Sequence, residues 1–273
     1  MKGPQPLPCL MVAPNGARRG KADHPALPIT LEEIVETAVA CQKAGADGLH
    51  LHVRDKDGKH SLDTGLYRET MAALEQAAPD MFLQVTSEAG GLYDAEAQRG
   101  MIRELRPASV SVALREMLRS PSEERCAREF YAWARDEGID VQHIVYSPDE
   151  LRWLLECIDD KTIPGARHQL QVVLGSYEGS ELPRSSDLDA YLAPLNARRD
   201  DLAFDWMACA FGSAETACLA AAAARGGKVR VGFENSLWNS DGSLAQDNAE
   251  RVIEVRAAVD AVSMGQTLSP CDK

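Results

Sequence analysis

Short apolar runs alternate with longer stretches of helical periodicity from one end of the chain to the other. The first run, residues 8–13, is broken by the turn residues Pro14-Asn15-Gly16-Ala17. Thr30-Leu31-Glu32-Glu33 then opens a helix, with Thr30 as N-cap and Glu33 completing a capping box. This helix runs to about residue 44, where Gly45 stops it. A second apolar run over 48–53 ends at the turn Asp55-Lys56-Asp57-Gly58. Further strands are predicted at 81–86, 109–114, 140–146, 169–174, 202–207 and 228–233. Helices are predicted at 65–77, 94–105, 122–136, from the Ser147 cap onward, at 186–197, 213–225 and 246–262. Regular strand–helix alternation implies a parallel sheet, and eight such pairs predict an α/β fold, a (β/α)8 TIM barrel forming a single domain over residues 1–273. A doubly wound open sheet fits less well, because no Gly-x-Gly-x-x-Gly follows the first strand.

The strand 48–53 carries chemistry on one face. Side chains alternate across a strand, so Leu49, Leu51 and Val53 share one side while Gly48, His50 and His52 share the other. Two imidazoles about 7 Å apart along a strand can both reach one metal ion. In the strand 228–233, Val229, Val231 and Phe233 face the helices, which turns Lys228, Arg230, Gly232 and then Glu234 toward the barrel axis. Barrel closure sets this last strand beside the first, and the first lies beside the second. Glu234 can therefore approach His50 and His52, and two His with one carboxylate and open positions make a zinc-type catalytic set. Arg230 serves either as an ion-pair partner of Glu234 or as the ligand of a substrate carboxylate or developing oxyanion.

Other inward positions are also polar: Gln84 and Thr86, Ser109 and Ser111, Gln169 and Gln171. Barrel interiors are usually bulky and aliphatic, so this polarity suggests ligand contacts. His143 shares the helix-facing side with Val141 and Val145 and reads as a structural histidine. His168 lies at a strand start, the wrong end for catalysis, and the inward Asp205 has no evident role.

Composition narrows the partners. Of 273 residues, 45% are hydrophobic and 26% charged, ordinary for a globular protein. The net charge of −13 makes nucleic acid and anionic membranes poor partners. An anionic small substrate then requires a metal or a few Arg residues to make the site locally positive. The seven cysteines are scattered without Cys-x-x-Cys, which argues for a reducing, cytoplasmic location. No apolar run approaches the ~20 residues needed to span a bilayer, and residues 1–8 contain no apolar signal segment.

Several stretches together resemble the β-keto acid cleavage enzyme family, whose named activity is cleavage of 3-keto-5-aminohexanoate. They are Val12-Ala13-Pro14-Asn15-Gly16-Ala17, Ala44-Gly45-Ala46-Asp47-Gly48-Leu49-His50-Leu51-His52-Val53-Arg54-Asp55 with Ser61-Leu62-Asp63, Gly226-Gly227-Lys228-Val229-Arg230-Val231-Gly232-Phe233-Glu234-Asn235, and Asn248-Ala249-Glu250-Arg251-Val252. The resemblance implies a (β/α)8 barrel with Zn2+ on His50, His52 and Glu234. It implies exchange of a β-keto acid with acetyl-CoA, giving acetoacetate and a new acyl-CoA. Arg230 and the position of Asn235 would be catalytic, and Thr86, Ser87, Ser109 and Asn15 would contact substrate. A homo-oligomer, dimer or tetramer, is also implied.

Three features depart from the family. The residue after the zinc Glu is often Asp there and acts as general base; here it is Asn235, so that role is open. The strand-five stretch, commonly rich in Glu, reads Val141-Gln142-His143-Ile144-Val145-Tyr146. Ala13-Pro14 at the first strand end offers no carboxylate for an amino group. The expected substrate is therefore a neutral or apolar β-keto acid. The alternatives are a zinc-dependent hydrolase on the same barrel and a divergent non-catalytic member that binds zinc and a CoA ester.

Overall fold

The computed structural model describes residues 3–177, 179, 181–197 and 202–267. Ten strands are present among them: β1 (Leu10–Val12), β2 (Gly48–Leu51), β3 (Val53–Arg54), β4 (His60–Ser61), β5 (Phe82–Thr86), β6 (Ser109–Ala113), β7 (Asp140–Val145), β8 (Arg167–Leu174), β9 (Ala203–Ala210) and β10 (Lys228–Val231). Eight of these pair in parallel and close a barrel in the order β1-β2-β5-β6-β7-β8-β9-β10. The helices are α1 (Leu31–Lys43), α2 (Thr64–Ala77), α3 (Ala95–Leu105), α4 (Leu114–Met117), α5 (Glu124–Asp136), α6 (Pro148–Asp159), α7 (Leu188–Asn196), α8 (Glu215–Ala224) and α9 (Asn248–Thr267). This is the eight-fold strand–helix alternation expected from the sequence.

Local signals behave as read. The Glu33 amide donates to Thr30 Oγ1, and the Thr30 amide donates to Glu33 Oε2, which closes the capping box of α1. Gly45 follows that helix at φ +107°, a conformation unfavourable for any residue with a Cβ. Ser147 accepts the Glu150 amide at the start of α6.

The second barrel strand is shorter than the apolar run suggests. It ends at Leu51, so His52 lies just beyond it, and Val53–Arg54 turn away to pair antiparallel with His60–Ser61. The reason is next door: β1 ends at Val12, and the nearby Pro14 has no N–H to continue a ladder. The turn at residues 55–58 thus joins an unanticipated hairpin at the barrel mouth, and the short α4 is a second element that periodicity missed.

One large core lies between barrel and helices and takes in Leu49, Leu51, Val53, Val229 and Val231, the outward faces of their strands. Inside the barrel the floor is apolar, with Leu7, Met11 and Met207 packed together. Beneath it Lys228 Nζ lies 2.8 Å from Asp205 Oδ2, and the Leu7 amide donates to the same oxygen at 2.7 Å. Asp205 therefore ties the N-terminal segment across the bottom of the barrel. His143 and His168 pack against each other and against Tyr131 and Phe204, on the outer, helix-facing side.

Candidate active site

Above the Met floor the interior turns polar, and a chain of amides runs across it. Gln84 Oε1 accepts the His50 Nδ1 proton at 2.9 Å, and Gln84 Nε2 donates to Gln142 Oε1 at 3.0 Å. The amide direction follows from both bonds at once. Gln84 holds His50 in the tautomer whose Nε2 lone pair is free.

That lone pair points toward His52 and Glu234. His50 Nε2 and His52 Nε2 are 3.2 Å apart, and Glu234 Oε2 lies 3.8 Å and 3.4 Å from them. The three atoms fall within 4.8 Å of one another on buried residues. Glu234 Oε2 is buried without a hydrogen-bond partner among the described residues. A buried carboxylate oxygen left unpaired is costly, and two imidazole nitrogens facing it leave a space that a cation fits. His50, His52 and Glu234 can therefore hold a metal ion. The titration directions agree with that donor set. Burial lowers His50 to about 3, with Arg230 acting the same way, so it stays a neutral ligand. Burial alone would raise Glu234, but Arg230, His52 and His50 outweigh it and hold the carboxylate well below its ordinary range.

The backbone around Glu234 is locked from several sides. Gly232 has φ +139°, and a Cβ there would lie 2.4 Å from the Ala13 carbonyl oxygen. The Glu234 amide donates to that same oxygen at 3.1 Å. Asn248 Oδ1 accepts the Phe233 amide at 2.9 Å while its Nδ2 donates to the Pro14 carbonyl. Tyr177 Oη donates to the Glu234 carbonyl at 2.7 Å. Behind Asn248, Arg251 and Glu215 form a fully buried ion pair at 2.9 Å. The Asn248–Arg251 motif thus clamps the loop that carries Glu234.

A cavity of about 330 Å³ opens over the trio. His50, Thr86, Glu88, Ser111, Arg230, Glu234 and Asn235 line its base, and Ala113, Ile144, Val173 and Phe211 form an apolar wall. Arg18 and Arg115 stand at it too, over the rings of Tyr177 at 5.0 Å and Tyr146 at 3.8 Å. With Arg230, these put three guanidinium groups at a cavity that also holds Glu234 and Glu88; Arg230 is paired with Glu234 and Arg115 with Glu150 at 2.8 Å.

The anticipated residues are distributed unequally. Arg230 Nη2 bonds Glu234 Oε1 at 3.0 Å and reaches Asn235 Oδ1 at 3.5 Å. Asn235 Nδ2 is buried without a partner among the described residues, and the residue lines the cavity. Thr86 lines it as well. Ser87 points elsewhere, donating to the Ser111 carbonyl at 2.8 Å. Ser109 lies deeper, under Gln84 at 3.4 Å, while Ser111 one layer up lines the cavity with an unpartnered buried hydroxyl. Asn15 braces the mouth by donating to the Pro28 and His52 carbonyls. Glu88 was not anticipated. It lies two residues past β5, with Oε2 3.9 Å from His52 Nε2, and burial pushes its carboxyl up.

Fold and site together define the class: a (β/α)8 barrel whose C-terminal strand ends carry a buried His–His–Glu set able to hold a metal. Within that class, the chain belongs to the β-keto acid cleavage enzyme family, which it matches over residues 9–267. It is 26% identical to a 3-keto-5-aminohexanoate cleavage enzyme of Fusobacterium nucleatum subsp. nucleatum, covering 88% of this chain and 86% of that protein. It is 28% identical to a 3-oxoadipate:acetyl-CoA acetyltransferase of Cupriavidus necator, covering 92% and 88%. Among solved structures, the fold resembles ObcA in binary complex with oxaloacetate, at a TM-score of 0.66 and 15% identity. That match covers 88% of this chain and spans 64% of that one.

Proposed function

We propose that this chain is a zinc-dependent acyltransferase that exchanges a β-keto acid with acetyl-CoA, releasing acetoacetate and a new acyl-CoA. The observation that carries the reading is the unpaired Glu234 Oε2 facing two imidazole nitrogens at the mouth of a family-matching barrel. The curated relatives, named for 3-keto-5-aminohexanoate and for 3-oxoadipate with acetyl-CoA, support the substrate classes.

Zinc on His50, His52 and Glu234 would supply Lewis acidity toward the carboxylate and ketone oxygens of the keto acid. The protein supplies the rest. Gln84 keeps His50 oriented. Arg230, whose charge is secured by Glu234, offers its guanidinium to the carboxylate or to developing oxyanions. Thr86 and Ser111 place hydroxyls at the base. Arg18 and Arg115 at the cavity suit the anionic groups of acetyl-CoA. The apolar wall of Ala113, Ile144, Val173 and Phe211 favours a neutral or apolar substituent on the keto acid over a cationic one.

The six described cysteines are free thiols, which supports the cytoplasm as the location. No described helix is long and apolar enough to cross a membrane. We take residues 1–273 as one functional domain and its assembly as a dimer or tetramer.

The test is acetoacetate release by zinc-loaded protein given acetyl-CoA and a panel of β-keto acids, with His50→Ala as control. Release that disappears in the variant supports the exchange. Absence of release from protein shown to hold zinc overturns it and favours a binding role.

A further inference from the structure

Exchange of the acyl group requires a new carbon–carbon bond at C2 of the keto acid, so a proton must first leave C2 for a base. The residue after the metal-binding glutamate cannot accept it here. Asn235 carries an amide, and its Oδ1 already faces Arg230 at 3.5 Å. Two carboxylates line the cavity among the described residues, Glu234 and Glu88. Glu234 is committed, with Oε1 bonded to Arg230 at 3.0 Å and Oε2 toward the imidazoles.

Glu88 is uncommitted. Neither of its carboxylate oxygens accepts a hydrogen bond from a described residue, although one lies 3.9 Å from His52 Nε2. Its backbone is pinned, because the amide donates to Thr86 Oγ1 at 3.0 Å and the carbonyl accepts from His60 Nε2 at 2.7 Å. The side chain is thus held at the edge of the metal set, with its acceptors open to the cavity. The other polar groups there serve less well. Arginines have no acceptor, and Tyr177 already donates its hydroxyl to the Glu234 carbonyl.

We propose that Glu88 is the general base of this enzyme, taking the work that a carboxylate at position 235 would do. The inference rests on the exchange reaction proposed above. In the step, the C2–H bond breaks, the proton moves to a Glu88 oxygen, and the electron pair becomes the enolate. The enolate carbon bonds to the thioester carbonyl of acetyl-CoA, and the thiolate leaves. That thiolate then bonds to the original C3 ketone carbon, and the C2–C3 bond breaks to give the acyl-CoA and the acetoacetate enolate. Glu88 returns its proton to C2, and no outside oxidant or reductant is consumed.

The test follows deuterium incorporation at C2 of a 3-oxo acid in D2O, by NMR, without acetyl-CoA and above the uncatalysed background. Acetoacetate release is measured in parallel, and zinc content and melting temperature are taken for each protein. Glu88→Gln is expected to lower both rates by about 10²–10⁴-fold with zinc content and melting unchanged. Glu88→Asp is expected to retain part of the rate. Adding Asn235→Asp to Glu88→Gln is expected to restore exchange. A Glu88→Gln protein within about threefold of wild type overturns the proposal, and so does one that loses its zinc, since Glu88 would then be a ligand. Should wild type neither exchange C2 protons nor release acetoacetate, the functional reading itself fails, and the base assignment with it.

Discussion

Gln84 Oε1 and His50 Nδ1 lie 2.9 Å apart, deep in the barrel, and this bond decides which imidazole nitrogen faces the ligand space. Gln84→Leu leaves the shape roughly intact but strands a buried Nδ1–H without an acceptor. It also frees the ring to adopt the wrong tautomer. Loss of such an outer partner typically costs 10–100-fold in metal affinity. Competition titration against a zinc chelator should therefore show about that weakening in Gln84→Leu. An unchanged affinity would show that packing alone fixes His50.

The trio was legible because it rests on two regular features. Period-two phase puts His50 inward, and parallel closure brings β10 and β2 to the two sides of β1, so that Glu234, in the turn three residues past β10, still reaches the imidazoles. The missed residues lie where regularity ends. Glu88 is two residues beyond β5, where strand phase no longer fixes side-chain direction. Ser109 and Ser111 share one phase, and only the stagger of the strands decides that Ser111 reaches the cavity while Ser109 lies beneath Gln84. Glu215 heads an Ala-rich helix, where an acid reads as a solvated first-turn charge. Its burial against Arg251 is a product of tertiary packing.

Gly16 supports the ligand set from the loop after β1. Its φ is +62°, and a Cβ there would stand 2.5 Å from Glu234 Cγ and 3.2 Å from Tyr177 Oη. Gly16→Ala must therefore strain the loop and push Glu234 off its line to the imidazoles. The expected outcome is a folded protein with zinc affinity reduced by tenfold or more. Circular dichroism with metal titration checks it, and wild-type affinity would show that the loop yields without moving Glu234.

The Arg251–Glu215 pair is fully buried, and Arg251 also donates to Thr216 and Asn239. Removing one partner leaves an uncompensated interior charge, which typically costs 3–5 kcal/mol. Arg251→Met should destabilise by about that much in urea unfolding at neutral pH. Adding Glu215→Gln should recover part of the loss, since it removes the stranded charge. Equal destabilisation in the single and double variants would argue that lost packing around α9 is the cause.

His143 and His168 give the outer barrel wall a share in acid stability, beside that of the buried His50 and His60. Burial lowers His143 to about 3, with His168 adding to the effect, and burial lowers His168 to about 4. Both are neutral in the folded protein, whereas in the unfolded chain each takes up a proton near the ordinary histidine value of about 6.5. The unfolded state thus binds more protons below that value. The stabilisation is complete above pH ~6.5 and is lost as pH falls toward 4, at up to about 1.4 kcal/mol per pH unit for each histidine. His143→Phe keeps a ring against Tyr131 and His168 but removes one of the two titrations. Unfolding free energy measured from pH 7.5 to pH 4.5 in metal-free protein should fall less steeply in this variant, by about one proton's worth of slope. Parallel curves for the two proteins would mean that His143 takes up its proton in the fold as readily as in the unfolded chain, with Nδ1 satisfied by water from the N-terminal mouth of the barrel.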